Sequence, residues 1–147
     1  MAGKTARDIM TDSPAVCTPE TTARDAARMM EENDCGSLPV VESRNSMKLQ
    51  GIVTDRDLAL RILGRGQNPE TPVREAMTKN VSCVRSDSRL DEVEHLMSSE
   101  QVRRIPVVDD QNRVLGIVAQ ADLARELGAV GTKDFGRVLE KISEPGR

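Results

Sequence analysis

Aromatic side chains are almost absent from this 147-residue chain, which contains no Trp, no Tyr and one Phe. Proteins that bind single-stranded nucleic acid stack bases on aromatic rings, and proteins that bind duplexes present a dense basic face. Neither feature is found here, because 21 basic residues are outnumbered by 24 acidic ones and the net charge is −3. Nucleic acid is therefore not an expected partner.

Long apolar runs are missing as well. No stretch approaches the roughly 18 apolar residues that a membrane span needs. The first seven residues, MAGKTAR, lead into charge rather than into the apolar core of a signal peptide. We therefore expect a cytoplasmic protein that makes no membrane contact.

Motifs for catalysis and metal binding are also missing. The single histidine, His95, has no companion at i+4, and the chain contains no P-loop and no GxGxxG. The three cysteines, Cys17, Cys35 and Cys83, are odd in number and lack metal-ligand spacing, which suits a reducing compartment. We predict a protein that is not an enzyme, binds no metal and requires no cofactor. A metal-linked or redox role for the three cysteines is kept as an alternative.

An internal duplication is the main positive feature of the chain. The segment from Met10 to Asp57 recurs from Met77 to Asp122, with its landmarks in the same order. Residue numbers differ by 67 at the methionines and by 65 at the glycines of the two Gly-Ile-Val runs, so the copies differ by two residues in one loop. A duplicated unit predicts a pseudo-twofold architecture. Positions where the copies differ then become candidates for function.

Each copy has the pattern of a strand, a helix, two strands and a second helix. A helical stripe of apolar residues predicts the first helix in each copy; the two stripes are Ala23, Ala26, Ala27 and Met30, and Leu90, Val93 and Met97. Helix starts are predicted at Thr22, with Asp25 three residues on, and at Ser88, with Asp91. These two predicted starts lie one position out of register with the repeat.

Two β-rich runs joined by a polar loop follow in each copy and predict hairpins over residues 37–41 and 49–54, and over 104–108 and 114–118. The second helix is predicted from Leu58, Ala59, Ile62 and Leu63, and from Leu123, Ala124 and Leu127, with Gly64 and Gly128 at its end. The resulting organisation is repeat 1 over residues 6–64, a linker over 65–72, repeat 2 over 73–128 and a tail over 129–147. A short helix is expected within the tail at residues 133–143.

These motifs together resemble a tandem pair of cystathionine-β-synthase (CBS) domains, the arrangement called a Bateman module. The matching elements are the Arg7-Asp8-Ile9-Met10-Thr11 run, the Leu38-Pro39-Val40-Val41 strand, and the run from Gly51 to Asp57, each with a counterpart in the second copy. The chain is similar to stand-alone bacterial and archaeal two-CBS proteins. The resemblance implies an α+β fold of two β-α-β-β-α repeats that pack through their sheets with pseudo-twofold symmetry, and a homodimer.

The resemblance also implies a regulatory module that binds an adenine-containing ligand in the cleft between its repeats and signals to an unidentified protein partner. The ligands of the family include AMP, ADP, ATP, NAD and S-adenosylmethionine. In such modules a Thr/Ser-x-x-Asp element binds the ribose hydroxyls, and here it is Thr54 and Asp57. The same tetrad also fits a capping box for the second helix, and the two roles can coexist.

The two copies differ at residues to which the resemblance assigns a role in ligand binding. Repeat 2 keeps Asp122 but has Ala119 in place of the hydroxyl, which weakens its ribose site. Repeat 2 also carries Arg103 and Arg104 where repeat 1 has Gly36 and Ser37. Guanidinium groups match phosphate oxygens, so we predict that these arginines bind the phosphates of the ligand whose ribose is held by repeat 1.

The resemblance places the adenine against main chain and apolar side chains from the first strand and the start of the hairpin in each copy. The predicted contacts are Val16, Thr18, Gly36, Ser37, Leu38 and Pro39 in repeat 1, and Val84, Ile105 and Pro106 in repeat 2. A remaining alternative is a dimerisation or docking protein whose clefts hold no ligand.

Overall fold

The computed structural model describes residues 3–128, so the helix predicted at 133–143 lies outside the described residues. The chain forms two compact units. The unit that we call the Asp57 unit comprises Pro14–Val81 with Gln111–Val114. The Asp122 unit comprises, in its described part, residues 3–13, 82–110 and 115–128. These units divide the chain differently from the sequence repeats, because residues 6–13 join the Asp122 unit and residues 65–81 join the Asp57 unit.

The described elements confirm an α+β fold with two sheets. In chain order they are α1 (Ala6–Ile9), β1 (Thr11–Asp12), α2 (Ala23–Glu32), β2 (Ser37–Val41), β3 (Leu49–Thr54), α3 (Asp55–Asp57) with a π-helical continuation (Leu58–Leu63), a 3₁₀ turn (Val73–Glu75), β4 (Thr78–Lys79), β5 (Val84–Arg85), α4 (Leu90–Glu100), β6 (Arg104–Val108), β7 (Val114–Ala119) and α5 (Gln120–Gly128). The four hairpin strands match the predicted ranges to within one residue.

The sheet of the Asp57 unit has the order β2-β3-β4, with both pairs antiparallel. The first strand predicted for this copy is reduced to Cys17, which pairs in parallel with Val40. Its N–H donates to the Pro39 carbonyl at 3.1 Å. In β3, a Cβ on Gly51 would overlap the Thr78 carbonyl oxygen, so only glycine permits β4 to approach.

Helix α2 packs one apolar face into the core of this unit. Ala23, Ala26 and Met30 are buried, but Ala27 is exposed and Met29 is half-buried. The predicted stripe was therefore wrong at Ala27, because the helix turns its buried face towards Met29. The predicted start is confirmed, since the Thr22 hydroxyl accepts the Asp25 N–H at 3.1 Å.

The second helix of the Asp57 unit departs from the predicted pattern. Ile62 is buried and Leu58 is half-buried, but Ala59 and Leu63 are exposed, so the predicted apolar face was wrong at these two positions. The cause is the π-helical segment Leu58–Leu63, in which each turn holds more residues than an α-helix and the 3.6-residue spacing no longer applies.

Gly64 ends this helix as predicted, but without the left-handed conformation of a typical terminal glycine. Its φ is −63° and its N–H donates to the Ala59 carbonyl at 2.7 Å. A Cβ at this position would lie 2.8 Å from the Leu60 carbonyl oxygen. The position therefore requires glycine for space, and the left-handed glycine of the turn is Gly66, with φ 68°.

The segment over residues 65–72 is bound to the Asp57 unit along the start of α2. The Thr71 carbonyl accepts the Ala23 N–H at 2.8 Å, and the Pro69 carbonyl accepts the Arg24 N–H at 3.0 Å. These N–H groups belong to the first turn of the helix, where no carbonyl of the helix itself can accept their hydrogen bonds. The turn residues that indicated a linker thus cap a helix.

The sheet of the Asp122 unit has the order β1-β7-β6-β5, with β1 antiparallel to β7 and β5 parallel to β6. Helix α4 covers a core that includes Val93 and Met97. Its predicted start at Ser88 was wrong by one residue: the N-cap is Arg89, whose N–H donates to the Glu92 side chain at 3.2 Å. The Ser88 hydroxyl instead accepts the Arg85 N–H at 3.0 Å. The observed start is in register with Thr22.

Candidate functional site

Thr54 and Asp57 form a reciprocal capping box where β3 meets α3. The Asp57 N–H donates to the Thr54 hydroxyl oxygen, and the Thr54 N–H donates to Asp57 Oδ2, both at 3.0 Å. Thr54 is still extended, with φ −116° and ψ 165°, so the chain turns from strand to helix at this pair. The capping role considered from the sequence is therefore present in the fold.

The capping box leaves polar groups of both side chains for a further partner. Because the Thr54 hydroxyl accepts a hydrogen bond, its own proton remains to be donated. Asp57 Oδ2 is occupied by the Thr54 N–H, whereas Oδ1 lies 3.9 Å from Arg61 Nη1, beyond hydrogen-bond distance. The Asp57 side chain is 15% exposed. The pair can thus offer one donor and one anionic acceptor at the same place.

Gly36 and Ser37 lie directly beside this pair. Ser37 is opposite Thr54 in the β2–β3 register, and the Gly36 carbonyl accepts the Asp55 N–H at 2.9 Å. Both residues are small, so little side-chain bulk covers the junction. The fold therefore brings together four of the residues predicted for repeat 1: Gly36, Ser37, Thr54 and Asp57.

The other residues predicted for repeat 1 differ in what they can contribute. Leu38 is completely buried in the hydrophobic core, so its side chain is committed to packing. Pro39 and Val16 are also buried, and the Pro39 carbonyl is engaged by Cys17. Thr18 is half-buried, and its N–H donates to the Thr21 hydroxyl at 3.1 Å.

The Asp122 unit repeats half of the capping box. The Ala119 N–H donates to Asp122 Oδ2 at 2.9 Å, as the Thr54 N–H does to Asp57. Asp122 Oδ1 accepts a hydrogen bond from Arg125 Nη2 at 2.7 Å. Neither Arg125 nor Arg61 was predicted from the sequence, although an arginine three or four residues after a helical aspartate is a recognisable pairing signal.

Arg103 and Arg104 lie at the same end of the Asp122 unit as its half-box. The Arg103 carbonyl accepts the Gln120 N–H at 2.7 Å, the counterpart of the bond between Gly36 and Asp55. Arg103 is exposed and Arg104 is half-buried. Neither guanidinium forms a hydrogen bond or ion pair with another residue in the described part of the chain. Both are thus charged donors without a protein acceptor among residues 3–128.

The remaining residues predicted for repeat 2 are buried. Val84 and Ile105 belong to the hydrophobic core of the Asp122 unit, so their side chains pack internally. Pro106 is buried as well.

The three cysteines have different surroundings. Burial raises the pKa of the Cys17 thiol to about 12, and burial also raises the pKa of Cys83 against the opposing effect of Arg85. Cys35 is exposed. A raised pKa keeps a thiol protonated, which is the opposite of an activated cysteine. Within residues 3–128, no three His, Cys, Asp or Glu side chains are grouped so that they could hold a metal ion.

In the part of the chain that the structure describes, no helix combines the length and apolar character needed to cross a membrane.

The family model of the CBS domain matches this chain twice, over residues 6–64 and 73–129. The chain belongs to the CBS domain family. This CBS protein is 37% identical over 137 residues to the CBS domain-containing protein YhcV of Bacillus subtilis, a match that covers 93% of this chain and 94% of YhcV.

Solved structures with the same fold contain different ligands. CBSX2 in complex with AMP superposes with a TM-score of 0.74 at 28% identity and covers 87% of this chain and 98% of CBSX2. A CBS domain pair in complex with 5′-methylthioadenosine and S-adenosyl-L-methionine gives a TM-score of 0.75 at 30% identity, over 87% of this chain and 98% of that one. Hypoxic Response Protein I, with two coordinated zinc ions, superposes with a TM-score of 0.76 at 35% identity. The match covers 84% of this chain and 99% of that protein.

Proposed function

We propose that this CBS protein is a non-enzymatic regulatory module that binds an adenine-containing ligand at Thr54 and Asp57 and signals to a partner protein. The candidate ligands are AMP, ADP and ATP, with NAD and S-adenosylmethionine as further members of the class. The observation that carries the proposal is the reciprocal capping box, which leaves a hydroxyl proton and a carboxylate oxygen side by side. A ribose presents two neighbouring hydroxyls that each donate and accept, and it matches this pair.

Relatives solved with ligands support the same chemical class. Both AMP and 5′-methylthioadenosine carry an adenosine with vicinal ribose hydroxyls, and each is bound by a protein that shares the fold. The adenine would lie against main chain near Val16, Thr18 and Gly36, where the small residue permits close approach of a flat ring. The burial of Leu38 and Ile105 limits these two positions to main-chain contacts.

Arg103 and Arg104 are the proposed partners of the ligand's phosphates. Their guanidinium groups have no acceptor among the described residues, and a guanidinium fork matches two phosphate oxygens. Their charges would also offset those of a nucleotide in a chain whose net charge is −3. A homodimer and a cytoplasmic location complete the proposal.

Calorimetric titration of AMP, ADP, ATP, NAD and S-adenosylmethionine into wild type and Asp57→Asn tests the proposal. The amide oxygen of Asn can still accept the Thr54 N–H, so the substitution removes the anionic acceptor and retains the cap. A hydrogen bond to a charged group contributes about 1.5–3 kcal/mol, so we expect affinity to fall by about 10- to 150-fold.

Asp55→Asn is the matched control, because Asp55 is exposed in the same helical turn and bears the same charge. We expect it to bind as wild type does. Equal affinity of wild type and Asp57→Asn would reject the site, and folded wild type that binds none of the five ligands would reject the function.

A docking protein without a ligand is the second candidate. Two large apolar side chains are exposed in the described chain, Leu60 at 54% and Leu63 at 78%, and both lie on the π-helical segment. Together they offer a small apolar surface that another protein could cover. The same titration separates the candidates, since a docking protein would release no binding heat with any of the ligands.

A further inference from the structure

The two equivalent carboxylates, Asp57 and Asp122, differ in the partner of one oxygen. Each side chain is 15% exposed, and in each the Oδ2 atom accepts the N–H of the residue three positions earlier. Asp57 Oδ1 forms an ion pair with Arg61 Nη1 at 3.9 Å, which is too long for a hydrogen bond. Asp122 Oδ1 accepts a hydrogen bond from Arg125 Nη2 at 2.7 Å. Asp57 Oδ1 is thus open to a hydrogen-bond donor, whereas Asp122 Oδ1 already accepts a hydrogen bond within its own unit.

The residue three positions after each aspartate accounts for this difference. In an α-helix, side chains at i and i+3 are neighbours, and in α5 this places Arg125 against Asp122. The corresponding residue after Asp57 is Leu60, which has no charge, is exposed and lies in the π-helical segment, where the α-helical spacing does not apply. Arg61, one residue further on, donates from Nη1 to the Ala76 carbonyl at 2.9 Å, so the same atom pairs with Asp57 Oδ1 only at the longer distance of 3.9 Å.

We propose that Arg125 is a specificity-determining residue that closes the Asp122 unit to ribose, so that each chain takes one adenosine ligand, at Asp57. The inference rests on the proposed function and deepens it. A ribose hydroxyl needs the Oδ1 acceptor that Arg125 already fills. Ala119 adds to the effect, because the hydroxyl that Thr54 offers in the other unit has no counterpart here.

The effects of Arg125 and of the missing hydroxyl on ribose affinity can be estimated separately. The Arg125 side chain is 74% exposed, so solvent screens its ion pair and its competition should lower ribose affinity by about three- to fivefold. The missing hydroxyl should contribute about two- to tenfold. The two together should weaken the Asp122 unit by about 6- to 50-fold relative to the Asp57 unit.

Removal of Arg125 tests the inference by calorimetry. Arg125→Leu should open the Asp122 unit and strengthen adenosine binding there by about three- to fivefold. Arg89→Leu is the matched control, since it removes the same charge from a side chain of the Asp122 unit that is 75% exposed and paired with Asp91, and it should leave the affinity unchanged. The double variant Ala119→Thr, Arg125→Leu should bind adenosine in both units with similar affinity.

Adenosine is the main probe because it has no phosphate, so the loss of an arginine cannot act on it through a phosphate contact. AMP is titrated in parallel. Adenosine binding at the Asp122 unit that is no tighter in Arg125→Leu than in wild type would overturn the inference. Two wild-type sites of equal affinity, or a double variant whose weaker site gains no affinity, would also overturn it. In these cases a loss of binding in Asp57→Asn would leave the proposed function standing, whereas wild type that binds no ligand would overturn both.

Discussion

The two roles of the Thr54 hydroxyl, helix cap and ligand donor, can be separated by replacing Thr54 with the isosteric valine. The Asp57 unit contains a matched cap: the Thr22 hydroxyl accepts the Asp25 N–H at 3.1 Å, as the Thr54 hydroxyl accepts the Asp57 N–H at 3.0 Å. Both threonines are half-buried N-caps with extended backbones. Thr22→Val therefore removes a cap alone, and Thr54→Val removes a cap together with the proposed ribose donor.

The expected stability changes of the two variants are similar. Loss of a threonine N-cap costs about 1 kcal/mol, which lowers the melting temperature of a protein of this size by about 3–4 °C. Only Thr54→Val should also weaken the ligand, because a lost neutral hydrogen bond of about 0.5–1.5 kcal/mol corresponds to about two- to tenfold in affinity. Thr54→Ser keeps a hydroxyl and should retain both the cap and the binding.

Urea denaturation without ligand and calorimetric titration of AMP measure the two effects independently. The reasoning is refuted if Thr54→Val loses stability as Thr22→Val does but binds AMP as tightly as wild type. In that case the hydroxyl would be a cap only. A loss of affinity in both variants would show that the titration reports helix fraying rather than a lost contact.

Two further outcomes are expected. In native protein at pH 8, a thiol reagent should modify Cys35 first, because Cys35 is exposed whereas burial raises the pKa of Cys17 and Cys83. Cys35→Ser should therefore abolish the fast phase of thiol modification. A fast phase that persists in this variant would contradict the order. Arg103→Ala combined with Arg104→Ala should weaken AMP more than adenosine in calorimetry, since only AMP carries a phosphate. Equal losses for the two ligands would argue against phosphate contacts.

Much of the candidate site could be predicted from the sequence because the duplication aligns residues that have the same local role. The Thr54 and Asp57 tetrad follows a β-rich run and opens a helix, and both signals are local. The alignment also exposed the Ala119 difference. Arg125 was missed, because its importance lies in which carboxylate oxygen it contacts, and sequence spacing alone does not specify that atom.

The predictions that failed share a physical cause. The Ala27 and Leu63 assignments assumed an ideal 3.6-residue period. The fold instead turns α2 towards Met29 and continues α3 as a π-helix. Helix orientation and local unwinding depend on packing against residues distant in the chain, which override the local period.

The repeat, the hairpin strands and the class of fold could be predicted from the sequence, because β-rich runs and turn signals act over a few neighbouring residues. The tertiary structure alone decided which segments complete each compact unit, including the capping of α2 by residues 69 and 71. It also decided which carboxylate keeps an open oxygen. These features depend on contacts made after the chain has folded: Arg61 reaches the Ala76 carbonyl 15 residues away, whereas Arg125 has the carboxylate of Asp122 as its partner.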